Sequence, residues 1–304
     1  MKIIKGTIDF NIEDNTVVSI GKFDGLHKGH ESILNKMSEY RSRGYKLCVM
    51  TFDVPPASLG IAGDKEVLTT NVEKERLFSI YGVDYLIEFP FDEQTAAIRA
   101  EEFIKVFIVD RMNAKAVVVG DDCTFGYKAS GNAQMLCDYA QECGYDITVI
   151  DKLMDEAEGK EISSTYLREL INEGNVKKVY DLSYSPYFVY SQLKQVVSKI
   201  NENVLLYESE LSPEKVIPRS GMYYTEIFYD DCFYPAITCV YAYDRQILTY
   251  AYGTIKGLEK KPVSVAFLDR KRSLVNNTDK EEIRKMLDQD IIDGHKWYRE
   301  CGYR

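Results

Sequence analysis

Only three histidines occur in the 304 residues of this chain, and two of them, His27 and His30, stand three positions apart. They lie in Gly21-Lys-Phe-Asp-Gly-Leu-His-Lys-Gly-His30, directly after the apolar run Val17-Val-Ser-Ile20. On the first turn of a helix that spacing sets both imidazoles on one face. Gly21 and Gly25 allow a tight turn, and Gly29 allows a ligand to come close to the backbone. The N–H groups that open a helix attract phosphate, and the helix dipole adds to the attraction. The pattern is that of an anion site with two movable donors at its rim. Its strand–turn–helix setting favours nucleotide phosphate over two histidines that merely satisfy a turn. A metal reading is weaker, because His295, the remaining histidine, lies near the far end of the chain.

Two further stretches carry chemistry. In Ile162-Ser-Ser-Thr-Tyr-Leu-Arg168, three hydroxyls (Ser163, Ser164, Thr165) lead into a helical pattern that ends at Gly174. Hydroxyls at a helix entrance cap orphan N–H groups as readily as they bind phosphate. Arg168, one turn in, moves the balance toward phosphate, which a planar guanidinium grips with two bonds. Gly120-Asp-Asp-Cys-Thr-Phe-Gly126 has the glycines and carboxylates of a loop that closes over a nucleoside.

These segments need a frame. Continuous apolar runs occur at residues 17–20, 47–51, 85–89, 116–120 and 147–150, with helix-like stretches around 29–43, 71–81, 99–112 and 131–142. Apolar strands separated by helices predict a doubly wound α/β domain with a parallel sheet covered on both faces. Ligands bind such sheets at the carboxyl ends of the strands, which is where all three motifs fall. After Tyr180 the pattern changes. Residues 223–252 read as successive strands with a turn at Asp230-Asp231, and Val263-Ser-Val-Ala-Phe-Leu268 reads as another strand before a polar loop. A final amphipathic helix beginning near Asn277 carries Ile283, Leu287 and Ile291. The chain is thus expected to form two domains, residues 1–183 and 184–304.

Composition narrows the class. A formal net charge of -10, from 38 basic and 48 acidic residues, argues against wrapping nucleic acid. No apolar run approaches the roughly 20 residues of a membrane helix, and the first ten residues lack a signal-peptide core. Seven cysteines, an odd number without Cys-x-x-Cys, read as reduced thiols, which points to the cytoplasm. Nothing in the pattern fixes an oligomeric state.

Taken together, the motifs resemble the adenylyltransferase module of bacterial bifunctional riboflavin kinase/FAD synthetases. Gly-x-Phe-Asp-Gly-x-His-x-Gly-His is met at residues 21–30 and Ile-Ser-Ser-Thr-x-x-Arg at 162–168, with weaker agreement at Leu68-Thr-Thr70, Glu73-Lys74, Gly120 with Asp122, and Phe125-Gly126. The similarity covers roughly residues 15–180. It implies a Rossmann-like nucleotidyltransferase domain followed by a small antiparallel β-barrel-like domain with a C-terminal helix. It implies an FMN adenylyltransferase that takes ATP and FMN, with Mg²⁺, to FAD and pyrophosphate. His27, His30 and Arg168 would be catalytic. Gly21, Phe23, Asp24, Gly25, Gly29, Ser163, Ser164 and Thr165 would bind nucleotide, and Thr51, Phe52, Asp122 and Phe125 the flavin or acceptor.

Two departures lie inside this module, Pro55 in place of a histidine and Thr124 in place of an arginine. The second half is similar to the riboflavin kinase domain in outline only. Residues 175–220, where a glycine-rich turn and a Pro-Thr-x-Asn motif belong, contain neither glycine nor threonine, and Leu248 takes the place of the expected glutamate base. Leucine cannot accept a proton, so kinase activity is expected to be lost. The alternatives are adenylyl transfer to another phosphorylated acceptor and a non-catalytic flavin- or nucleotide-binding regulator.

Overall fold

The computed structural model describes residues 1–54, 66–201, 204–253, 255–258, 261–275 and 280–302. Pro55 and the expected helix start near Asn277 lie outside the described residues. The chain divides into two compact units, Met1–Tyr166 and Leu167–Arg304.

In the first unit the order is β1 (Lys2–Lys5), β2 (Thr16–Ile20), α1 (Lys28–Glu39), β3 (Lys46–Phe52), α2 (Asn71–Ile80) and β4 (Tyr85–Phe89). There follow α3 (Ala100–Glu102), which runs on as a π-helical segment (Phe103–Arg111), β5 (Ala114–Gly120), the two-residue strands β6 (Thr124–Phe125) and β7 (Gly131–Asn132), α4 (Ala133–Cys143) and β8 (Asp146–Ile150). A short hairpin of β9 (Met154–Asp155) and β10 (Lys160–Glu161) leads to α5 (Ser164–Glu173). Six strands form one parallel sheet in the order β1-β4-β3-β2-β5-β8. The five expected strands and four expected helical regions are all present. β1 was not anticipated; it pairs with β4 at the sheet edge, and its four residues are too few to show a period.

Pleating explains why the strands read as unbroken apolar runs. Val18, Ile20, Met50, Val117 and Val119 share a core with Phe103, Phe107 and Leu136. The residues between them point to the other face, where α1 packs on β2 and β5 and α2 packs on β4. From β2 the chain winds one way through β3 and β4, then crosses to β5 and β8 on the other side. The switch point therefore lies between β2 and β5, and a crevice opens beyond their carboxyl ends.

The second unit continues with α6 (Val176–Leu182), β11 (Tyr187–Ser191), β12 (Leu193–Asn201), β13 (Val204–Ser209), β14 (Gly221–Tyr229), β15 (Cys232–Tyr241), β16 (Gln246–Tyr252), β17 (Val263–Arg272) and α7 (Lys280–Glu300). α6 packs on β11 and β17. The seven strands make an antiparallel half-barrel in the order β11-β17-β14-β15-β16-β13-β12. Asp230 and Asp231, both at positive φ (54° and 59°), make the expected hairpin turn. The last strand runs four residues past the expected Leu268, because residues 269–272 continue the ladder with β14 despite their charge. Both faces of this sheet are apolar. Leu205, Ile227, Ala236 and Val265 fill one, while Leu206, Met222, Ile237 and Tyr250 meet Ile291 of α7 on the other. Ile283 departs from the expected stripe and is exposed.

Candidate active site

β2 delivers the chain to Gly21 at the switch point, and the next six residues turn it into α1. That turn is tightly bent: Phe23, Gly25 and Leu26 all have positive φ, at 49°, 86° and 29°. Glycine meets the demand at 25 without cost, whereas Phe23 is held there by packing, its ring buried against Phe78 at 5.4 Å. His27 is the N-cap of α1 but makes no side-chain cap bond. Thr70 and Asn132, in contrast, cap α2 and α4 with their side chains. The N–H groups at the mouth of α1 therefore receive no cap from the His27 side chain.

The two imidazoles stack, with centroids 3.8 Å apart and planes 27° apart. Phe23 flanks His30 at 5.1 Å. The i, i+3 spacing thus does what the sequence implied. The bareness of Gly29 serves this stack: a Cβ there would stand 3.0 Å from Nδ1 of His27. Burial pushes His27 down to about 4, against the pull of Glu161. His30 is lowered well below the usual value by burial first, then by His27 and by Lys74. Both rings are neutral at pH 7. Nδ1 of each is buried without a hydrogen-bond partner among the described residues, so the favoured place for the single ring proton is Nε2.

Long-range hydrogen bonds fix the turn. The Asp24 carboxylate accepts from the Thr69 backbone N–H at 2.9 Å, and Thr69 Oγ1 accepts from Gly25 N–H at 2.9 Å. This reciprocal pair ties the turn to the start of α2, itself closed by a capping box of Thr70 and Glu73. Ser164 donates to the Asp24 carbonyl at 2.6 Å, which joins the 162–168 motif to the same turn. Ser163 Oγ accepts from Tyr166 N–H at 3.3 Å. Capping and cleft-lining are therefore not exclusive here: Ser163, Ser164 and the exposed Thr165 all line the cleft.

The cleft, of about 380 Å³, is built within the first unit. Its polar side holds the two histidines, Gly21, Gly29 and the hydroxyl turn; Phe23, Phe52, Phe103 and Phe125 supply an apolar wall. Asp122 stands exposed at the end of β5, its Oδ1 so near Gly120 that a Cβ there would be 2.9 Å away. Three expected site residues from this unit do not line the cleft. Asp24 and Gly25 are spent on the α2 clamp. Thr51 is buried and donates to the Lys22 carbonyl at 3.0 Å while accepting from Lys74 at 3.1 Å. Arg168, on the part of α5 that belongs to the second unit, is half-buried.

Further residues line the cleft. Asp121, the other carboxylate of the 120–126 motif, follows β5; Asp151, not singled out from the sequence, follows β8, and Lys152 pairs with Glu161 at 2.9 Å on the rim. The signal available for Asp151 was position alone, one residue past a parallel strand. Among the described residues no group of three or more His, Cys, Asp or Glu is arranged to hold a metal.

The chain is similar to several known proteins. The family described as FAD synthetase matches over residues 9–166. A bifunctional riboflavin kinase/FMN adenylyltransferase of Escherichia coli is 34% identical over 194 residues, 62% of this chain and 61% of that protein. A FAD synthetase of Listeria monocytogenes is 32% identical over 69% of this chain and 80% of its own length. A crystal structure from Streptococcus pneumoniae, titled as a macrolide-efflux protein, superposes with a TM-score of 0.81 at 26% identity, covering 97% of this chain and 98% of that one. Among the described residues no helix of this chain is long and apolar enough to cross a membrane.

Proposed function

The chain belongs to the FAD synthetase family, and from that premise we propose that it transfers the adenylyl group of ATP to FMN. An oxygen of the FMN phosphate attacks the α-phosphorus, the bond from that phosphorus to the β-phosphate bridge breaks, and pyrophosphate leaves with FAD as the other product. The attacking group is already anionic, so no general base is required. Alignment of the two phosphates and stabilisation of charge on the leaving group supply the rate.

The observation that carries this reading is the cleft in which the helix mouth and the hydroxyl turn are joined through Ser164 and Asp24. Neutral His27 and His30 donate from Nε2 to the phosphates. Ser163 and Thr165 line the path of the nucleotide, and Arg168 is assigned to the β- and γ-phosphates on the family resemblance. Phe52 and Phe125, with Phe103, offer rings against which a planar isoalloxazine packs. Asp122 is assigned to acceptor binding at the rim. Thr51, Asp24 and Gly25 are assigned to support of the turn rather than to ligand contact. Mg²⁺ is assigned as a companion of the triphosphate on the family resemblance; bound there it would neutralise phosphate charge.

Residues 1–183 form the adenylyltransferase module in this reading, and residues 184–304 a riboflavin kinase-like domain without kinase activity. The absence of glycine and threonine from 175–220 supports the loss, as does Leu248, which packs on the α7 side of the sheet. All seven cysteines are free thiols, which supports a reducing cytoplasm. Incubating the purified chain with Mg²⁺-ATP and either FMN or riboflavin, then separating the flavins, tests both parts. FAD is expected from FMN, and no product from riboflavin. No FAD from FMN overturns the transfer reading; FMN from riboflavin overturns the loss of the kinase.

A further inference from the structure

Among the described residues Lys74 is one of the few charged side chains nearly withdrawn from solvent, with 7% of its surface exposed. It lies one turn into α2, behind the phosphate-binding turn, and is not a wall of the cleft. Its Nζ donates to Thr51 Oγ1 at 3.1 Å and to the Lys22 carbonyl at 3.3 Å. Thr51 Oγ1 in turn donates to the same carbonyl at 3.0 Å. One backbone oxygen thus receives two donors, from α2 and from β3. That oxygen belongs to the residue just before Phe23, whose positive φ aims its ring at His30. The Lys22 carbonyl is therefore the last fixed point before the bend that sets His30.

The arrangement costs more than packing alone requires. An amine withdrawn from water carries a heavy dehydration penalty, and a methionine of similar length would fill the space without it. What methionine lacks is the hydrogen bonding to the Lys22 carbonyl and the Thr51 hydroxyl, and a positive charge that bears on His30. A fixed charge at the base of a site that gathers three or four phosphate charges acts with little screening.

We propose that Lys74 is a positioning residue for nucleotide binding: held by Thr51 and the Lys22 carbonyl, its amine fixes the Phe23–His30 pair and sets a positive charge beneath the phosphate-binding turn. The proposal rests on the adenylyl-transfer reading for its kinetic consequences but not for its binding consequences. The charged or titratable groups that bear on His30 are His27 and Lys74, while Glu161 bears on His27 and the buried Glu88 carboxylate bears on Lys74. Removing the Lys74 charge leaves His30 easier to protonate.

Three measurements on the full chain test this. With Lys74→Met, kcat/KM for ATP is expected to fall about 10- to 100-fold while KM for FMN changes by no more than about twofold. Affinity for inorganic triphosphate, measured by calorimetry without turnover, is expected to fall about tenfold or more. Nitrogen-15 NMR of the His30 ring is expected to show protonation at higher pH than in the parent. Thr51→Val, which keeps the charge and removes the hydroxyl link, is expected to weaken triphosphate binding less and to leave the His30 titration in place. Unchanged triphosphate affinity and an unchanged His30 titration in Lys74→Met overturn the proposal. Should that variant fail to fold, Thr51→Val decides: parent-like kinetics and triphosphate affinity in it overturn the proposal. A parent protein that makes no FAD defeats the transfer reading instead, and the triphosphate and NMR results then judge Lys74 by themselves.

Discussion

The hydroxyl of Ser164 donates to the carbonyl oxygen of Asp24 at 2.6 Å, across 140 positions of sequence. With that bond the entrance of α5 and the entrance of α1 become walls of one cleft, and neither motif keeps its geometry independently of the other. Ser164→Ala is expected to lower stability by about 1 kcal/mol, the usual net value of such a bond. It is expected to lower kcat/KM for ATP about tenfold through loosening of the turn. Ser164→Thr, which keeps the hydroxyl, should retain most of both. Steady-state kinetics and denaturant melts of the two variants check this, and an alanine variant with parental kcat/KM would refute the coupling.

His30 is expected to carry a larger share. Its ring lies between Phe23 and the His27 stack, and its Nε2 is the donor assigned to phosphate. Removing one donor of this kind typically costs about 100- to 1,000-fold in rate. His30→Ala should show that loss in FAD formation while its far-ultraviolet circular dichroism matches the parent. Near-normal turnover would remove His30 from the mechanism.

Much of this site was legible because its chemistry is local in sequence. Gly21 to His30 and Ile162 to Arg168 each present their residue types within ten positions, and the three-residue spacing brings His27 and His30 together. What was not legible depends on partners far away. Thr51 carries a hydroxyl at the end of a strand, where ligand binding is a reasonable expectation, yet it is committed to Lys22 and Lys74. Asp24 likewise turns its carboxylate to Thr69 rather than outward. Those bonds span 23 to 45 positions, and no periodicity encodes them. The same holds for β1 and for β11 to β13, which are short or mixed in polarity and gain their identity from the strands they pair with.

In the second unit, α7 approaches its sheet at Gly294. A Cβ at that position would collide with the Tyr252 hydroxyl, itself bonded to the Ile291 carbonyl at 3.0 Å, and with the buried side chain of Ile237. Glycine lowers helix propensity, so an alanine on an open helix face would stabilise. Here the contact reverses the sign. Gly294→Ala is expected to destabilise by about 1 to 3 kcal/mol, as overpacking does. Thermal melts decide, and a raised melting temperature would show that α7 stands farther from β15 and β16 than described.

The last expectation concerns acid. Burial holds His27 at about 4, whereas an unfolded chain titrates its histidines near 6.5. As pH falls through 6.5 the unfolded state takes up the proton and the folded state does not, so unfolding becomes easier. Stability present above that value is therefore lost progressively down to about pH 4, by about 3 kcal/mol if the shift is fully expressed. His30, lowered mainly by burial as well, acts in the same direction. His27→Gln removes one of the two titrations and leaves the ordinary carboxylates as they were. Between pH 7.5 and 5 its denaturation midpoint should fall less than that of the parent. Parallel curves for the two proteins would mean that the His27 ring is far more open to water than its packing against His30 and Gly29 implies.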